Sequence, residues 1–181
     1  MARRLIAILI ALEFALWPHA DAANVLALTP EAPVIEQSIQ AEPLVIVVNR
    51  SNPVDNLSSS ELRNIFLGSR SHWPSGRRIT LVMRDPGEPE RRIILRDVCN
   101  MTEDQMKTHF LRGLFTGEIL VSPKVLSTPL GVRRFIFNVP GAIGYLRLRD
   151  VDDSVKVLRI DELLPDDKRY KLRIQIQAAN E

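Results

Sequence analysis

The hydrophobic positions fall into an apolar leader, a short acidic stretch and a long alternation of strand-like and helix-like patterns. Residues 5–17 are a 13-residue apolar run interrupted by Glu13, behind a basic start containing Arg3 and Arg4. A membrane span needs about 20 apolar residues, so this run predicts a cleavable signal peptide over 1–22, cut after Ala22 in Ala20-Asp21-Ala22. No cysteine follows the run, so no lipid attachment is expected and the product is predicted to be periplasmic or secreted. Residues 23–43 hold three glutamates and no Lys or Arg, and predict an acidic linker or N-terminal arm.

Beyond the arm, "PLVIVVN" at 43–49 is a continuous Val-rich run, the pattern of a strand buried on both faces. Ser58 and Glu61 form a capping box for a helix with Leu62, Ile65 and Phe66 on one side and Gly68 as its stop. "RRITLVM" predicts a second strand, and residues 88–99 a helix with Ile93, Ile94 and Val98 facing the core. Thr102 and Gln105 form another capping box, opening a helix whose buried stripe is Met106, Phe110 and Leu114. "EILVSPKVL" is strand-like, "PLGVRRFIFNV" helical, and "AIGYLRL" and "SVKVLRI" are strands. The tail over 161–181 alternates apolar and polar near its end and predicts an edge strand. Strands alternating with helices predict an α/β domain over 44–160, a mixed sheet flanked by helices.

Composition adds exclusions. Of 181 residues, 45% are hydrophobic and 25% charged, enough for one domain with a core. The net charge is +2 and only 6% of residues are aromatic, so neither a basic field nor a base-stacking surface points to nucleic acid. The lone Cys99 makes no intrachain disulfide and reads as a buried helix residue. His72 and His109 have no zinc spacing around them, and no Gly-rich phosphate loop or Ser-His-Asp order occurs, so no metal, cofactor or catalytic residue is expected. Trp73 reads as the packing anchor of its loop, His72 as a surface residue, and Gly141 and Gly144 as turn and close-approach glycines.

Residues 82–95, "VMRDPGEPERRIIL", carry the candidate chemistry. A strand delivering Arg84 beside a helix N-terminus is a frame for an anion, because a guanidinium donates in a fork and the helix end is positive. Gly87 through its N–H, and Arg91, are the candidate helpers. Yet Glu88 and Glu90 stand where an anion would sit. In one reading they cap the helix, Pro89 starts it, and Arg84 pairs with Glu88; in the other a small anion binds at Arg84. Arg91, Arg92 and Arg96 also form a basic helix face, either solvated or available to an acidic partner.

Three stretches carry a resemblance: "LSSSELRNIFLGSRSHWPSG", "ITLVMRDPGEPERRIIL" and "VPGAIGYL", in that order over roughly 44–148. Together they resemble the substrate-binding protein of the phosphate ABC transporter, a type II periplasmic binding protein, in its second lobe only. The resemblance implies a single periplasmic-binding-protein-like lobe, a non-enzymatic binding role for phosphate or another small oxyanion, and an ABC transporter or envelope protein as partner. It places the phosphate-pairing arginine at Arg84, and the family's Ser-Gly-Thr donors at Glu88, Pro89 and Glu90. The hydroxyls are gone, and the expected mature chain is too short for the family's first lobe. A second function therefore stands beside the first: an envelope interaction module on a one-lobed fold that has lost its anion pocket.

Overall fold

In the computed structural model the described residues run from 40 to 176, so the expected signal peptide over 1–22 and the arm up to residue 39 lie outside them. The order is β1 (Gln40–Asn49), β2 (Asn56–Leu57), α1 (Ser59–Phe66), β3 (Thr80–Arg84) and α2 (Pro89–Ile93). A π-helical segment (Ile94–Cys99), α3 (Glu103–Thr116), β4 (Lys124–Leu126), α4 (Pro129–Asn138) and β5 (Ala142–Arg147) follow. The chain closes with β6 (Val155–Val157), β7 (Arg159–Ile160) and β8 (Arg173–Ile176). The main sheet runs β4-β3-β5-β1-β6, with β8 also pairing β1. β3 is parallel to β4 and β5, and β1 is antiparallel to β5, β6 and β8, so the sheet is mixed.

The run read as doubly buried is β1, whose Leu44, Val45, Ile46, Val47 and Val48 are each 0% exposed. Leu44, Ile46 and Val48 face the larger core under α1, α3 and the π segment, while Val45 and Val47 face a smaller core under α4. Burying such a side chain stabilises the fold by about 1.5–3 kcal/mol, so helices on both faces follow from this one strand. Both capping boxes form: Ser58 Oγ accepts from the Glu61 N–H, and Thr102 Oγ1 from the Gln105 N–H. Trp73 is buried and its Nε1 donates to the Gly141 carbonyl at 3.0 Å. A Cβ at Gly141 would stand 2.1 Å from the Arg78 carbonyl oxygen, so only glycine lets these backbones approach. His72 is exposed.

Four expectations are corrected. The domain is longer than 44–160: β1 begins at Gln40 inside the predicted arm and pairs there with β8, and Tyr170, Leu172 and Ile174 of the tail are buried in the main core. The helix over 88–99 is α-helical only to Ile93 and then widens into the π segment, which buries Leu95 and Cys99 with Ile94 and Val98 while Ile93 is half-buried. It ends at Asn100, in the left-handed region with φ 54°. Leu114 does not line the buried stripe of α3; Met106, Phe110 and Gly113 do. Gly113 takes that place because Ile119 folds back on it, where a Cβ would meet Ile119 Cδ1 at 2.5 Å. Of the strand-like 118–126, only Lys124–Leu126 enters the sheet, and Leu120 and Val121 stay exposed in the preceding loop.

Candidate functional site

Arg84 is the last residue of β3, and its backbone is fixed on both sides. Its N–H donates to Tyr145 Oη at 2.9 Å, and its carbonyl accepts from Arg91 Nη1 at 2.8 Å. Tyr145 lies on the neighbouring β5 and is buried, which pushes its phenol well above the ordinary range, so it stays neutral. The Arg84 side chain is 7% exposed and reaches Glu88, with Nη2 3.0 Å from Oε2. Its Nε and Nη1 are buried with no hydrogen-bond partner among the described residues. A guanidinium held dry with two unpaired nitrogens is costly, since each unsatisfied buried polar group forfeits about 1–3 kcal/mol.

The "EPE" turn does not cap α2 as expected. Glu88 occupies the N-cap position but makes no side-chain capping bond, because its carboxylate turns back to Arg84. Glu90 is buried and turns inward to Arg147, accepting from Nε through Oε1, while its Oε2 has no partner among the described residues. Only Pro89 behaves as read, at the first helical position, where the missing N–H has no consequence. Gly87 is exposed, with φ 89° at the turn between strand and helix.

Arg91 does not join Arg92 and Arg96 on a solvated face. It is buried, and its fork holds Glu103 at the start of α3 while Nη1 holds the Arg84 carbonyl. Arg91, in the first turn of α2, points inward to the end of β3, while Arg92 and Arg96 are exposed, Arg96 against Asp97.

The sequence did not single out Arg147, Arg149 or Glu42. Arg147 ends β5 on the same sheet face as Tyr145, and Glu42 Oε2 lies 3.9 Å from its Nη1. Arg149 Nε is 3.5 Å from the other Glu42 oxygen. The β1–β5 register pairs Leu44 with Arg147, so two residues further on Glu42 stands opposite Arg149. Strand alternation from Tyr145 could have found Arg147; Glu42 needed the register. The ends of β3 and β5 and the start of β1 thus gather four arginines (84, 91, 147, 149) and four glutamates (42, 88, 90, 103), and their formal charges cancel.

Among the described residues no group of three or more His, Cys, Asp or Glu could hold a metal ion, and no helix is long and apolar enough to cross a membrane. Cys99 is buried in the main core, and burial pushes its thiol up to about 12.

A sequence profile described as "PBP superfamily domain" matches residues 19–161. The fold is similar to a phosphate-bound substrate-binding protein from Clostridium perfringens assigned to phosphate ABC transport. That match has a TM-score of 0.63 at 19% identity and covers 75% of this chain and 54% of that one. An ABC-type phosphate transport receptor from Vibrio cholerae matches with a TM-score of 0.60 at 21% identity, covering 78% of this chain and 59% of that one. PstS from Borrelia burgdorferi matches with a TM-score of 0.61 at 14% identity, covering 76% and 56%. At these identities the likeness establishes the fold, and the chain spans 54–59% of the length of these three proteins.

Proposed function

The chain belongs to the PBP superfamily domain family, and from that premise we propose that it is an exported, non-enzymatic domain of the substrate-binding type. It takes a small oxyanion, phosphate foremost, at Arg84, and works beside a phosphate ABC transporter or another envelope partner. The observation that carries this reading is the Arg84 guanidinium, buried at a strand end with two nitrogens unpartnered. An oxyanion entering there gives those nitrogens the acceptors they lack and replaces the Glu88 carboxylate on Nη2. Gly87, exposed at the turn, adds its N–H. Arg91 acts as a positioning residue, since its fork is engaged by Glu103 and its Nη1 holds the Arg84 carbonyl.

Titration calorimetry of the purified protein with phosphate, sulfate and acetate tests this. Heat is expected for phosphate or sulfate and is lost in Arg84→Ala. Absence of heat for all three anions, with Arg84→Ala indistinguishable from the parent, overturns it.

The 3.0 Å Arg84–Glu88 contact and the cancelling charges favour a second reading. In it Glu88 is the permanent occupant of an inherited anion frame, and the domain works through its surface as an envelope interaction module. A titration silent in both the parent and Glu88→Gln selects this reading over the first.

A further inference from the structure

The end of the sheet opposite Arg84 carries a small polar hollow. It has a volume of about 220 Å³ and lies where β1 ends and β3 and β5 begin, between the turn after Asn49, the loop of Trp73 and Pro140. The five residues of β3 separate it from Arg84 by about 15 Å at the rise of a strand.

Its lining includes a buried asparagine with an open donor. Asn52 is 4% exposed. Its N–H donates to the Asn49 carbonyl at 2.9 Å, its Oδ1 accepts from the Val54 N–H at 3.0 Å, and its carbonyl accepts from Lys156 Nζ. Only its Nδ2 is without a partner among the described residues. Buried amides are normally satisfied, and the nearby Asn49 is: its Nδ2 donates to the Ile136 carbonyl at 2.9 Å, and its Oδ1 accepts from the Ser51 N–H and hydroxyl. Asn52 therefore calls for an acceptor that the described residues do not supply.

A positive charge stands on the same lining. Arg77 is exposed, and its guanidinium makes no hydrogen bond or ion pair among the described residues. Backbone bonds place it: the Trp73 N–H donates to the Arg77 carbonyl at 2.8 Å, and Gly76, with φ 79°, donates to the Trp73 carbonyl at 2.9 Å. The stem runs beside Gly141, where a Cβ would stand 3.4 Å from Arg77 Cγ. No acidic residue lines the hollow, and Asp55, three positions from Asn52, is held by Lys156 at 2.9 Å. The remaining walls are the apolar Pro53, Trp73 and Pro140. A cavity of about 150 Å³ is enough for a benzene ring, so a body of that size fits.

We propose that this hollow binds a small organic monocarboxylate. Arg77 takes the carboxylate on its fork, Asn52 Nδ2 donates to one of its oxygens, and the short apolar body rests on Pro53, Trp73 and Pro140. One guanidinium matches one negative charge, and the apolar walls favour a carbon body over an inorganic anion. The assignment is independent of the reading of Arg84. Nitrogen-labelled full protein, followed by NMR while benzoate, benzamide or inorganic phosphate is added to ~50 mM, tests it. Benzoate should shift the Asn52 side-chain amide and the Trp73 loop signals, saturating in the millimolar range. Benzamide, of the same shape but neutral, should bind at least about tenfold more weakly. Arg77→Gln should weaken benzoate by at least about tenfold, and its thermal midpoint should match the parent's because Arg77 is exposed. Three results overturn the proposal: no shift at Asn52, equal affinity for benzoate and benzamide, or an Arg77→Gln variant that binds like the parent. Benzoate shifts confined to the Gly87 turn beside Arg84 overturn it as well, as does phosphate moving the Asn52 and Trp73 signals as tightly as benzoate.

Discussion

Replacing Glu88 by glutamine tests whether the chain's own carboxylate competes for Arg84. Glu88 Oε2 is 3.0 Å from Arg84 Nη2 and the Glu88 side chain is 36% exposed. An oxyanion accepted by the same guanidinium would sit about 4–5 Å from that carboxylate, where two unit charges repel by about 1 kcal/mol at water-like dielectric and about 4 kcal/mol at a surface-like one. Exposure of Glu88 to water and salt keeps the effect in the lower part of that range, about 1–3 kcal/mol. Glu88→Gln should therefore bind phosphate or sulfate about 5- to 150-fold more tightly than the parent. The assay is titration calorimetry at fixed low ionic strength on the parent, Glu88→Gln, Arg84→Ala and the double variant. The double variant should bind no better than Arg84→Ala. Equal affinity of the parent and Glu88→Gln refutes the competition; tight binding that survives in the double variant shows that the anion sits elsewhere.

Three further outcomes follow from the packing and the charges. Trp73→Phe removes the Nε1 donor to Gly141, whose carbonyl keeps the Thr80 N–H at 3.0 Å, and should cost about 1–2 kcal/mol in chemical denaturation. Cys99, buried with its thiol at about 12, should resist a thiol reagent at pH 8 in the native protein and react once denaturant opens the core. Asp167, held down to about 2 first by its hydrogen bond from Arg169, and Asp161, lowered first by its hydrogen bond from Ser59, take up protons in the unfolded chain before the folded one. Their stabilisation is present above the ordinary value of 3.8 and is lost as pH falls through the lowered folded values, about 2 for Asp167, so urea midpoints should decline below about pH 4.

The fold was legible where local physics decides it. The Val-rich run that became β1 can only be buried on both faces, and the two capping boxes form because their residues satisfy each other within one turn. Tertiary contacts decided the rest. Periodicity put Leu114 in the core, yet the return of Ile119 onto Gly113 fixed the buried line one residue earlier. The tail looked peripheral because its alternation says nothing of its partner, and the partner proved to be the first four residues of β1. At the site, the strand, Arg84 and the Pro89 start of α2 could be read from one short segment. Arg91 was misplaced because a run of three basic residues does not say which of them meets the end of a neighbouring strand. Glu42 and Arg147 are 105 positions apart and meet only through the β1–β5 register.

That convergence bears on the proposed exchange of Glu88 for an anion. Glu90 is 5% exposed, tied to Arg147, and holds one oxygen without a partner; Glu42 likewise keeps a buried oxygen free beyond its 3.9 Å approach to Arg147. These two carboxylates offset Arg147 and Arg149, so an entering anion has no purely cationic chamber to occupy. Arg84 meets only the outer, half-exposed Glu88. Exchange of Glu88 for a ligand leaves the Glu90–Arg147 and Arg91–Glu103 pairs in place, trades one contact at Nη2, and supplies acceptors to Nε and Nη1, which have none. The net gain is at most two charge-assisted hydrogen bonds, each about 1.5–3 kcal/mol, less the cost of taking the anion out of water into a charge-balanced cluster. A total of a few kcal/mol corresponds to a Kd in the millimolar range. On the proposed anion-binding reading, the arrangement therefore suits a response to abundant anion rather than the scavenging of traces of it.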